Sequence, residues 1–139
     1  MKIRNDFVTN SSSSSFIIAF AKIDDEEKAN KFLEENDLKH YIYSGQEVLN
    51  EHFSGRWSEG LSRDWAGVYL DVKEQDIDPN ANYIVYTEYD DLYEDEDGYV
   101  NYNVDLNDFS LEAQVVVDGL KKSNGFEDAE AGWGAGRNG

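Results

Sequence analysis

The sequence predicts an α+β fold: a mixed or antiparallel sheet of four to five strands with two to three helices packed on it. Three observations carry that expectation. Phe16–Ala21 and Tyr83–Tyr89 are short apolar or aromatic runs of strand length. Two other segments carry helical spacing behind good capping residues. Asp95-Glu96-Asp97-Gly98 is a turn signal between two strand-like runs, which makes neighbouring strands antiparallel.

The elements follow in order. Residues 1–15 are a Ser-rich entry segment without periodicity, which reads as a loop. Phe16–Ala21 reads as a buried strand. Asp24 or Asp25 caps a helix to about Asn36, with Ala29, Phe32 and Leu33 at helical spacing. Tyr41–Tyr43 is a short strand, and Ser44 caps a second helix, 46–53, with Val48, Leu49 and Phe53 on one side. Residues 54–64 form a Gly/Ser-rich loop, and 67–73 alternates like a strand. Asp78-Pro79-Asn80 is a turn, Tyr83–Tyr89 a strand, and Tyr99–Leu106 its expected hairpin partner. Asn107 or Ser110 caps a helix through Lys121 and Lys122, with Leu111, Val115 and Leu120 facing the sheet; the Val115-Val116-Val117 run leaves a strand as the alternative. Asn124-Gly125 stops it. The 139 residues thus divide into the entry segment 1–15, one α+β domain at 16–124, and an acidic, then Gly-rich, flexible tail at 125–139.

Composition narrows the function classes. There are no cysteines, so disulfides, thiolate metal sites and cysteine nucleophiles are excluded. No apolar run approaches the roughly 20 residues of a membrane span, and Phe16–Ala21 is too short for a signal-peptide core, so the chain reads as cytoplasmic. The formal net charge is −18, a value at which self-repulsion opposes folding. Such a surface repels nucleic acid and anionic lipid, and it attracts basic proteins.

The charge is concentrated. Between Lys73 and Lys121 there is no Lys, Arg or His, while residues 74–120 hold fourteen Asp or Glu, seven of them within Glu88–Asp97. Tyrosines are interleaved with them. The candidate partner-binding surface is therefore Glu88, Tyr89, Asp90, Asp91, Tyr93, Glu94, Asp95, Glu96, Asp97 and Tyr99. Carboxylates on a strand or hairpin imitate the phosphates of a duplex, and tyrosines add rigid contact area. A charge run also serves as a plain solvated face, so the two readings stand side by side. A calcium loop fits less well: with Gly98 at the invariant glycine, Tyr93 and Val104 occupy the first and last ligand positions. No metal site and no cofactor is expected.

A second constellation is an anion or small-ligand site from Ser11, Ser12, Ser13, Arg56, Trp57 and Arg63, with Trp65 nearby. Against it, the tryptophans also suit a core and the arginines also suit ion pairs with the abundant carboxylates. The serine run lacks the Gly-x-x-x-x-Gly-Lys pattern of a P-loop, and nothing pairs His40 or His52 with a serine nucleophile. No catalytic residues are assigned.

The opening Lys2-Ile3-Arg4-Asn5-Asp6-Phe7-Val8-Thr9-Asn10, followed by Ser11–Ser15, Phe16 and Ile17, resembles the start of assorted small proteins of bacteriophages and Firmicutes-type bacteria. The resemblance covers only this stretch. It implies a phage or mobile-element context, and no catalytic residues come with it. The leading expectation is a non-enzymatic, phage-type protein in the host cytoplasm, whose acidic surface engages a basic host protein or nucleic-acid-binding enzyme as a DNA mimic or inhibitor. It would contact neither nucleic acid directly nor membrane. The alternatives are an enzyme or phosphate binder built on the serine loop with Arg56 and Arg63, and a virion structural or assembly protein.

Overall fold

The computed structural model describes residues 13–53, 61, 68, 70–122 and 124–137. Its elements are β1 (Ser13–Ile23), α1 (Glu26–Glu35), β2 (Ile42–Ser44), α2 (Gly45–Val48), β3 (Asn82–Leu92), α3 (Leu111–Lys121) and β4 (Phe126–Arg137). The four strands form one antiparallel sheet in the order β2-β3-β1-β4, so the architecture is α+β as the sequence predicts.

β1 is central, and its period-2 alternation divides the core. Ile17, Ala19, Ala21 and Ile23 point to one face, where Ile84 and Tyr86 of β3 join Ala29 and Leu33 of α1 and Ala113, Val116, Val117 and Leu120 of α3. Ile18 and Phe20 point to the other face, with Tyr83, Val85, Val48, Leu61, Val68, Leu70 and Ile77. Both faces are thus covered, which is why β1 reads as an unbroken apolar run. Each fully buried Ile or Leu here contributes roughly 1.5–3 kcal/mol of transfer free energy.

Local chemistry sets the helix starts. The Asp25 carboxylate accepts from Lys28 N–H (3.1 Å) at the start of α1. Ser44 and Glu47 form a reciprocal capping box at α2, which continues as a π-helical turn, Leu49–Phe53. The Ser110 hydroxyl accepts from Ala113 N–H (3.1 Å) to start α3. At the far end of α3, Asn124 Nδ2 donates to the Gly119 carbonyl (3.0 Å). Helices α1 and α3 cross closely at Gly119, where a Cβ would meet the Phe32 ring at 2.1 Å.

Several expectations need correction. Residues 126–137 are not a flexible tail: they form β4, antiparallel to β1 from Ser13↔Arg137 to Ile23↔Phe126. A Gly/Ala-rich strand carries little intrinsic signal, but the edge of β1 supplies a ladder for its backbone groups. The register shifts between Phe20 and Lys22, where Asp128 takes a positive φ of 54° and makes a bulge. Ser13–Ser15 belong to β1 rather than to an entry loop.

Tyr99–Leu106 does not return as a strand. Asn101 and Asp108 side chains accept from the N–H groups of Asn103 (2.9 Å) and Asp105 (2.8 Å), diverting the backbone into turns. In 67–73 the described residues hold no strand beyond a single bridge at Val68; Val68 and Leu70 lie across the sheet face instead. On α3, Val116, Val117 and Leu120 face inward with Ala113, while Leu111 is 78 % exposed and Val115 sits at the margin. The Val115–Val117 run is helical, resolving the strand alternative. Among the described residues no helix is long and apolar enough to cross a membrane.

Candidate functional site

The densest acidic stretch, Glu88–Asp97, lies at one end of the sheet. β1 and β3 are paired there as Ser13↔Leu92, Ser14↔Asp91, Ser15↔Asp90 and Phe16↔Tyr89. β3 therefore carries its carboxylates out to the end of its ladder, and residues 93–99 continue beyond it. Asp95 tightens that continuation: its carboxylate accepts from the N–H groups of Asp97 and Tyr99 (both 2.9 Å), and its own N–H donates to the Tyr99 carbonyl (2.8 Å). Gly98 supplies the positive φ (82°) that this turn requires.

Of the ten candidate residues, Glu88 is tied into the fold. Its carboxylate accepts from Tyr86 OH (2.8 Å), from Ser110 N–H (3.1 Å) and from the Ser110 hydroxyl. It thus pins β3 to the N-terminus of α3, where a negative charge is favoured. Burial works to raise the Glu88 pKa, but these hydrogen bonds outweigh it and hold the carboxyl below the usual glutamate range. Asp90, on the same face two residues on, shifts upward, first through burial and then through its hydrogen bond with Glu88 and the charges of Glu88 and Asp91. Next to this junction, Tyr41 donates to Glu112 (2.8 Å) and packs edge-on against Tyr86. Burial, then the Glu112 carboxylate, push the Tyr41 hydroxyl up to about 12.

The other candidates face solvent. Asp90, Asp91 and Glu94–Asp97 are exposed. Tyr89, Tyr93 and Tyr99 are 54 %, 80 % and 72 % exposed, and Tyr102, also in the window, is 41 % exposed. The ion pairs among the described residues are Lys22–Glu127, Lys39–Glu34 and Lys122–Asp118, so none of them touches residues 88–105. No group of three or more potential metal ligands occurs among the described residues, and the strand-end carboxylates do not converge on one point.

The serine run has a role that sequence reasoning missed. Ser13, Ser14 and Ser15 are buried. The hydroxyls of Ser13 and Tyr102 bond at 2.7 Å, and Ser14 Oγ donates to Tyr89 OH (3.1 Å). Adjacent strand residues point to opposite faces, so Tyr102 and Tyr89 are held on opposite sides of the same sheet end. No local signal marked this role, since a run of identical serines carries no period of its own. Ser13 is therefore not an open anion cradle. Ser11, Ser12, Arg56, Trp57, Arg63 and Trp65 lie outside the described residues.

A cleft of about 540 Å³ lies at the opposite end of the sheet, beside the β4 bulge, with Phe20, Tyr83, Lys22, Lys73 and Asp128 in its lining. It contains none of the sequence-derived candidates. What the geometry defines is an α+β protein whose sheet ends in a surface of carboxylates and tyrosines. No family model matches the chain, and no curated protein or solved structure is significantly similar to it.

Proposed function

We propose that this is a non-enzymatic binding protein that uses the end of β3 and residues 93–99 to engage a basic, nucleic-acid-binding protein. It would act as a phage-type inhibitor that occupies its partner's nucleic-acid groove. One observation carries the reading. Among the described residues, no lysine or arginine neutralises the carboxylates of 88–105, although they are concentrated on an ordered strand and a tight turn. A field of one sign, left uncompensated at a cost in self-repulsion, is what steering toward an oppositely charged partner requires. The resemblance of residues 2–17 to small phage proteins adds the context of a host target.

The test is affinity capture from a bacterial extract at low salt, comparing the native chain with the variant Glu94→Gln/Asp95→Asn/Glu96→Gln/Asp97→Asn. A basic nucleic-acid-binding protein should be retained by the native chain, released by salt and displaced by duplex DNA, and retained far less by the variant. Equal capture by both chains, or capture of no basic protein, refutes the proposal.

A further inference from the structure

We infer that this surface recognises arginine rather than lysine: its partner presents a guanidinium-rich segment. The inference rests on the basic-partner reading above and specifies the cation. Two features carry it, and they are independent of the carboxylate count.

The first is where the aromatic rings are exposed. The well-exposed aromatic side chains of the described residues are Tyr89, Tyr93, Tyr99 and Tyr102, and all four fall in the window without Lys, Arg or His. Exposed phenol faces add nothing to a simple charge sink. They do matter to a planar, weakly hydrated cation, which stacks on a ring while its N–H edge bonds a carboxylate. A lysine ammonium is a compact, strongly hydrated point charge and gains less from a ring beside it.

The second is that three of these tyrosines are held. Tyr89 and Tyr102 are tethered through their hydroxyls to Ser14 and Ser13, whose side chains are 0 % and 3 % exposed. Tyr99 is fixed through its backbone by Asp95, which bonds both its N–H and its carbonyl. A tyrosine already anchored through its hydroxyl or its backbone loses little freedom when a planar group docks, so stacking is retained as affinity. Ser13 and Ser14 are positioning residues in this scheme. Carboxylates follow two of the rings directly in sequence: Asp90 and Asp91 follow Tyr89, and Glu94 follows Tyr93. Each carboxylate is a bidentate acceptor for a guanidinium fork.

The experiment titrates the full chain with fluorescent oligo-arginine and oligo-lysine peptides of equal length, read by anisotropy at low salt. Engaging two rings at exposed sites predicts about tenfold tighter binding of the arginine peptide. In Tyr93→Leu/Tyr99→Leu, both exposed and outside the core, the ratio should fall part of the way to one, with Tyr89 and Tyr102 keeping the remainder, while oligo-lysine affinity stays unchanged. Ser14→Ala should lower the ratio in part. Equal binding of the two peptides by the native chain, or an unchanged ratio in the double tyrosine variant, overturns the inference and leaves the basic-partner reading standing. Failure of both peptides to bind at low salt overturns both.

Discussion

Replacing Glu88 by alanine should cost far more stability than replacing any neighbouring carboxylate, although it lies in the same acidic run. The side chain accepts from Tyr86 OH, Ser110 N–H and the Ser110 hydroxyl. Hydrogen bonds to an ionised acceptor contribute about 1.5–3 kcal/mol each when buried. This site is half-buried and its donors keep other options: Tyr86 OH lies 3.4 Å from Ser110 Oγ, and Ser110 still caps α3. The expected net loss is therefore about 2–3 kcal/mol, the equivalent of roughly one to two full bonds. For a chain of this size that lowers Tm by roughly 6–12 °C. Urea and thermal unfolding followed by far-UV circular dichroism measure it, with Glu96→Ala as the exposed control. Glu96 should change stability by less than about 0.5 kcal/mol. If the two alanine variants unfold together, Glu88 is not the pin between β3 and α3, and the reasoning fails.

Gly119→Ala should destabilise by about 1–2 kcal/mol in the same assays, because the Cβ would enter the Phe32 ring and overpacking outweighs alanine's better helix propensity. Phe32→Leu in the same chain should recover part of the loss, whereas a stabilised Gly119→Ala refutes the close crossing. Deleting residues 126–137 should abolish cooperative unfolding or drive aggregation, since it strips β1 of a ladder and removes Phe126 and Trp133 from the core face; a soluble, natively folded truncation would contradict that role. Because Glu88 titrates below its unfolded value, its contribution is complete above the ordinary glutamate range and is lost as pH falls through the folded value. Asp90 is raised and runs the other way, so Asp90→Asn should stabilise by about 0.5 kcal/mol at neutral pH with the gain fading in acid, and a pH series of urea midpoints checks both signs.

Capping chemistry and long periodic runs were legible in the sequence because they are local. Asp25, Ser44 and Ser110 cap the helices they precede, and β1 and β3 lie where apolar and aromatic runs place them. What stayed hidden depends on partners far along the chain. Residues 126–137 look like a linker until β1 is seen beside them. The serines look like a loop until Tyr89 and Tyr102 cover them. The inward face of α3 was misplaced onto Leu111 and Val115, because Leu111, Val115, Val116, Val117 and Leu120 leave several apolar stripes and the packing against α1 and the sheet selects Ala113, Val116, Val117 and Leu120. In the candidate site, the density of charge was plain from composition. That Glu88 is committed to the fold was not, since its donors are the side chain of Tyr86 and the distant Ser110.

The position of β1 between β3 and β4 has a consequence for how the chain folds. The strand synthesised first acquires its second neighbour only when residues 126–137 have been made, so both of its ladders join distant parts of the chain. Topologies of this kind close large loops before any pairing rewards them and fold slowly. During that interval β1 is an apolar strand with open edges, a species prone to aggregate. The excess of negative charge along the chain opposes association of such incomplete chains while the central strand waits for its last neighbour.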